Sequence, residues 1–192
     1  MTDLISSTLE LDEKNSWGTD PLVFAALNSE FNFSLDAAAS DKNHLVANYL
    51  TKEDNALNID WSNCMDEYKH INNNKNVFLN PPYGRGFIRK FMNKAIEEKT
   101  KGVTTVMLVP ATLDAQWLPI QDISEIRIIT KGRLSFMHPI TGKKIAGNTK
   151  GSCLIVFSPS TSPLITRYID RDELLTIGQQ ELDKKVKLGA TV

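Results

Sequence analysis

Asn80, Pro81, Pro82 and Tyr83 form a run whose side chains and backbone both suit chemistry. The Asn side-chain carbonyl and the backbone carbonyl of Pro81 are two acceptors, and the proline pair fixes their separation with little conformational freedom left to lose. Two rigid acceptors suit an –NH₂ group. The exocyclic amine of a nucleobase is a poor nucleophile because its lone pair is drawn into the ring. Accepting both N–H hydrogens holds the amine, favours a more pyramidal nitrogen and stabilises the positive charge that develops when nitrogen attacks an electrophile. Tyr83 adds a flat face for a base taken out of its stack. The bland alternatives are a structural turn or a polyproline-type ligand. By average residue usage, however, N-P-P-Y arises by chance in fewer than about one in a thousand chains of this length.

The elements around this run must place it. Asn76–Leu79 reads as a strand that the prolines stop, since neither has an N–H to donate. Upstream, Asp20 and Pro21 open a helix over PLVFAALNSEF, with Asp20 as cap and Pro21 at the first helical position. Residues 33–37, FSLDA, form a short strand ending in an aspartate. Ser40 or Asp41 caps a helix over 43–49, and a short strand follows near 56–59. Downstream, 86–99 has a helical apolar stripe of Phe87, Phe91 and Ala95 with Ile88, Met92 and Ile96, leaving Arg89, Lys90, Lys94, Glu97 and Glu98 outward. Residues 104–109 read as a strand buried on both faces. Residues 114–122 form a short helix or irregular segment. Residues 125–130 and 152–158 are two further strands, joined without helix signals and expected as an antiparallel hairpin at the sheet edge. Residues 170–187 read as a C-terminal helix.

Strands alternating with helices predict a largely parallel α/β sheet. Ligands bind such sheets outside the carboxyl ends of the strands, where strand order reverses. Asp36 and Asn80 both stand at strand ends.

The chain has 192 residues, 41% hydrophobic and 23% charged, enough for one domain with a real core. Its net charge of −1 conceals an asymmetry: residues 1–84 carry 5 Lys/Arg against 13 Asp/Glu, and residues 85–192 carry 17 against 10. Residues 126–169 hold no acid but contain Arg127, Lys131, Arg133, Lys143, Lys144, Lys150 and Arg167. Such a segment suits a polyanion or a solvated basic face. Cys64 and Cys153 stand far apart, and His44, His70 and His138 are scattered, so neither a disulfide nor a metal site is expected. The apolar runs are too short to span a bilayer and the N-terminus lacks the order of a signal peptide, which predicts a cytoplasmic protein.

At N-P-P-Y the sequence resembles the S-adenosylmethionine-dependent DNA N6-adenine methyltransferases, whose catalytic motif is (D/N/S)-P-P-(Y/F/W). It is most similar to the compact Dam-like phage-type family, through WGTDPLVFAALNSEFNFSLDAAAS, EDNALNIDW, VFLNPPYGRGFIRKFMNKAIEE, VMLVPATLDAQW and IRIITKGRLSF, across about residues 17–158. The resemblance implies an α/β class I methyltransferase (Rossmann-like) fold. That fold has a seven-stranded mostly parallel sheet with an antiparallel last strand and helices on both faces. A single domain would occupy 1–192, with a core at about 17–158 and a helical C-terminal extension expected at 159–192. By that likeness Trp17, Thr19, Asp36, Ala37 and Ala38 would surround the methionine part of S-adenosyl-L-methionine. Asp54 or Asn55 would border its ribose or adenine.

Asn80, Pro81 and Tyr83 would take the adenine, with Pro82 as brace. Double-stranded DNA would be the partner, contacted by Arg85, Arg89, Lys131, Arg133, Lys143 and Lys144, and a phage-encoded enzyme would work in the host cytoplasm. DAAAS stands where many methyltransferases have a glycine-rich turn, and no separate target-recognition domain is evident. The competing readings are methylation of RNA adenine or of a protein glutamine, and a nucleic-acid-binding relative without catalysis.

Overall fold

The computed structural model describes residues 17–67, 73–84, 86–116, 118–146, 149–160 and 163–189. Its main sheet pairs six strands in the order β2-β3-β4-β8-β5-β9: β2 (Leu35–Asp36), β3 (Asn76–Leu79), β4 (Thr104–Pro110), β5 (Glu125–Thr130), β8 (Ser152–Phe157) and β9 (Ile165–Asp170). β2, β3 and β4 run parallel, β8 is antiparallel to both β4 and β5, and β9 is parallel to β5. A second sheet, β1-β6-β7, joins β1 (Gly18–Thr19), β6 (Phe136–Met137) and β7 (Lys144–Ile145) by antiparallel pairing.

Alternation along each strand builds two cores. Val77, Leu79, Met107, Val109, Cys153 and Ile155 fall in one cluster, while Phe78, Val106, Leu108, Leu154 and Val156 fall in the other. A strand buried on both faces therefore reads as an unbroken apolar run. The first cluster is closed by α2 (Trp61–Asp66) and α3 (Phe87–Lys99), the second by α1 (Pro21–Phe31) and α4 (Arg171–Lys187).

α1 forms as its sequence demands: Asp20 Oδ1 accepts from Leu22 N–H at 3.0 Å and Pro21 opens the first turn. At the other end of the chain α4 packs along α1. Gly178 makes this possible, since a Cβ there would stand 1.9 Å from the carbonyl oxygen of Leu22.

Several expectations are corrected. The 125–130 and 152–157 strands pair as antiparallel neighbours but are interior, because the chain returns after β8 to add β9 at the edge. The antiparallel strand is thus not the last, and the main sheet has six paired strands among the described residues rather than seven. No helix forms at 43–49. Leu45 N–H is taken by the Asp36 carboxylate, Asp36 N–H binds Asn48 O, and Tyr49 forms a parallel bridge to Asp36, so the segment bends through 45–48 and meets β2 at Tyr49.

The strand expected near 56–59 falls in a turn over 52–58 in which Asn55 takes a left-handed φ of 56°, and Trp61 Nε1 donates to Ala56 O. Lys94 and Glu98, expected outward on α3, are buried and paired at 2.8 Å because α2 packs there and Ser62 N–H also binds Glu98. α2 went unforeseen, although Asp60 caps it by accepting from Asn63 N–H.

Candidate active site

Tyr49 lies on one edge of β2 and β3 on the other, so the chain leaves β2 in one direction and returns in the opposite one. That reversal creates a crevice beyond the carboxyl ends of the two strands. A cavity of about 260 Å³ lies there, lined by Ala37 and Ala38 after β2, Asn80 and Pro82 after β3, Trp17 before β1, and Asn55. Phe87 and Phe91 of α3 complete an apolar wall that the sequence offered only as a core stripe. Gly86, with φ of 82°, allows the chain to turn from the proline run into α3.

Asn80 is held by its nitrogen. Nδ2 donates to the carbonyl of Trp17 at 3.2 Å and to Oγ1 of Thr19 at 3.0 Å. Among the described residues, neither Asn80 Oδ1 nor the buried Pro81's carbonyl accepts a hydrogen bond. Tyr83 remains 39% exposed, yet its hydroxyl points inward to the Leu108 carbonyl at 3.4 Å, and burial of that end pushes the phenol pKa up. Its ring meets Phe136 of β6 edge-on, with centroids 6.3 Å apart. Tyr83 is thus a partly exposed ring with a buried hydroxyl end, and neither it nor Pro81 lines the cavity.

The sequence model of the DNA N-6-adenine-methyltransferase (Dam) family matches residues 6–181. The chain belongs to the Dam family. Among relatives, it is 31% identical over 160 residues to the DNA N-6-adenine-methyltransferase of Escherichia phage T1, covering 74% of this chain and 62% of that protein. It is 28% identical over 178 residues to the DNA N-6-adenine-methyltransferase of Haemophilus phage HP1 (strain HP1c1), covering 89% of this chain and 95% of that one.

Not every residue singled out in this Dam-family chain meets at the cavity. Thr19 is 4% exposed and does not line it. Asp36 lies beneath the loop, accepting from Leu45 N–H at 3.1 Å and Ala38 N–H at 3.5 Å. Asp54 accepts from Thr51 and borders a neighbouring open cavity of about 580 Å³ with Asp41 and Glu53.

The basic segment is partly spoken for by acids from elsewhere in the chain. Arg127 is buried in a double contact with Glu30 and also binds Glu125; Arg167 joins Glu125, Lys131 pairs with Asp170 at 2.6 Å, and Lys144 with buried Asp20 at 2.5 Å. Arg133 also has a partner. Arg89 and Lys143 are exposed, and Arg85 lies outside the described residues. Among the described residues no cluster could hold a metal ion, and no helix is long and apolar enough to cross a membrane.

Burial pushes the Asp36 carboxyl up to about 6, against the opposing pull of the Leu45 and Ala38 N–H groups and of His44. Below about pH 3.8 folded and unfolded chains both keep this proton. Between there and about 6 the unfolded chain loses it first, so stability falls as pH rises, by about 3 kcal/mol at neutral pH. Urea midpoints at about pH 5 and pH 7 should therefore show the stability difference between Asp36→Asn and the parent shifting in favour of the variant as pH rises. A difference that stays constant would contradict the assignment.

Proposed function

We propose that the chain transfers a methyl group from S-adenosyl-L-methionine to the exocyclic N6 of an adenine swung out of double-stranded DNA, on a class I methyltransferase fold. The observation that carries this reading is the anchoring of Asn80 by its nitrogen, which leaves Oδ1 as an acceptor at the crevice, one residue before the Pro81 carbonyl. The donor set fits the cofactor. Three successive alanines, Ala37 to Ala39, leave room where larger side chains would fill the crevice, Trp17, Phe87 and Phe91 give an apolar wall, and Ser40, Asn43 and Asn55 supply polar edges. The volume is close to the lower end of the roughly 300–1,000 Å³ usual for such sites. When bound, the cofactor supplies an electrophilic methyl group.

This chain's residues do the rest. Asn80 Oδ1 and Pro81 O accept the two N6 hydrogens, orient the nitrogen lone pair and stabilise the charge that grows on nitrogen. The partly exposed ring of Tyr83 stacks on the extruded base. No dedicated base is needed, because the amine becomes acidic once alkylated. Arg89 and Lys143 meet the phosphate backbone, which gives affinity without sequence information.

The test is methyl-labelled S-adenosylmethionine offered with unmethylated DNA, RNA and protein, with products identified by mass spectrometry. N6-methyladenine in DNA is the expected product; label confined to RNA or glutamine, or no cofactor binding by calorimetry, would overturn the proposal. The two neighbouring lysines should separate in the same system. Lys143→Ala should weaken binding to all DNA sequences alike and reduce the salt slope by about 1 with an unchanged melting temperature. Lys144→Ala should also lower the melting temperature, because buried Asp20 loses its cation. Equal melting temperatures for the two variants would remove the structural role of Lys144.

A further inference from the structure

We infer that Thr19 is a positioning residue for methyl transfer, holding the Asn80 amide in the one orientation that presents Oδ1 to the substrate amine; this rests on the role of Asn80 proposed above. An asparagine amide has two ends of similar shape and opposite hydrogen-bonding character. Turned by half a rotation, Asn80 would offer its NH₂ to an amine, donor against donor, and the acceptor pair with Pro81 would be lost. The Trp17 carbonyl can only accept, so the group facing it must be Nδ2, and this selects the orientation. One bond still allows the amide to rock. The second, from Nδ2 to Thr19 Oγ1 at 3.0 Å, is the shorter of the two and uses the other N–H.

Thr19 is itself well held. It pairs with Phe136 across β1 and β6, its branched side chain has few rotamers, and it precedes the capping residue of α1. Because it does not line the cavity, its hydroxyl acts on the amide rather than on the cofactor. The same strand pair supports both halves of the base site, since Phe136 also meets the Tyr83 ring.

The test is Thr19→Val, which keeps the shape and removes the acceptor, beside Thr19→Ser, which keeps the acceptor. With DNA and cofactor saturating, Thr19→Val should lower kcat roughly 10- to 100-fold. The cofactor Kd by calorimetry and the KM for DNA should stay within about twofold, and Thr19→Ser should recover most of kcat. Proton exchange at the Asn80 side-chain amide, followed by NMR in asparagine-labelled protein, should be faster in Thr19→Val than in the parent. That readout needs no turnover, so it decides the role of Thr19 even if the parent methylates no DNA and the proposed function fails. Thr19→Cys, with a poor acceptor, should show the same split if Thr19→Val melts too low to assay. An unchanged kcat with unchanged amide exchange, or a loss confined to cofactor affinity, would overturn the inference.

Discussion

Asn80→Ala should lower kcat by roughly 10²- to 10³-fold while cofactor affinity by calorimetry changes little, because the variant loses an acceptor that matters most as charge develops on the attacking nitrogen. Asn80→Asp gives the sharper comparison. It keeps an oxygen for the substrate amine but sets a second oxygen against the Trp17 carbonyl, where Nδ2 now donates. Only the protonated carboxyl can donate there, and the facing carbonyl lone pairs hold its pKa up by disfavouring the charged form. Asn80→Asp should therefore be poorly active at neutral pH and regain activity as pH falls, opposite in sign to a mechanism that needs an ionised carboxylate. Methyl transfer to a duplex oligonucleotide across a pH series checks both. Parent-like activity of Asn80→Asp at neutral pH would show that no donor is needed at Trp17, and Asn80→Ala within tenfold of the parent would remove Asn80 from the chemistry.

Gly178→Ala should be the most damaging single methyl added to the helices. In an exposed helix this change would gain about 1 kcal/mol from propensity alone. Here the new Cβ would stand 1.9 Å from Leu22 O, a backbone atom in the first turn of α1 that cannot swing aside as a side-chain tip would. α4 must then withdraw from α1 and uncover part of the core around Leu27 and Leu174. A net loss of about 3 kcal/mol, or a melting temperature lower by about 10 °C, is expected. Gln180→Ala, exposed on the same helix, is the control and should leave the melting temperature unchanged or slightly raised. Equal melting temperatures for the two variants would mean that the helices tolerate separation. Because α1 begins directly after Thr19 and Asp20, a loosened α1 should also lower methyl transfer below the melting temperature.

What could be read from sequence was whatever local chemistry decides. α1 followed from one capping aspartate and one proline, β3 and β4 from apolar runs that end at prolines or beside them, and α3 from a stripe after a glycine. The segment 43–49 failed because its helix signal competed with a buried carboxylate that captures Leu45 N–H, a partner nine residues away. The strands β1, β6 and β7 are two residues each, too short for a periodicity to announce them, and β1 pairs with β6 across most of the chain. At the site, the four residues 80–83 stood out through rare spacing, whereas the role of Thr19 depends on a hydrogen bond across 61 positions. The ion pairs of the basic stretch were hidden for the same reason, because Glu30, Asp20 and Asp170 reach it from outside the segment.

The pairing of β1 with β6 and the packing of α1 on α4 have a consequence in time. Residues 17–31 reach the ribosome exit well before their partners at 136–137 and 171–187 have been made. Until then Thr19 lacks the Phe136 pairing that holds it beside the Asn80 amide. A nascent chain that has not yet made α4 therefore carries the whole N-P-P-Y run before its surroundings are assembled, and those surroundings are completed only when α4 closes over α1.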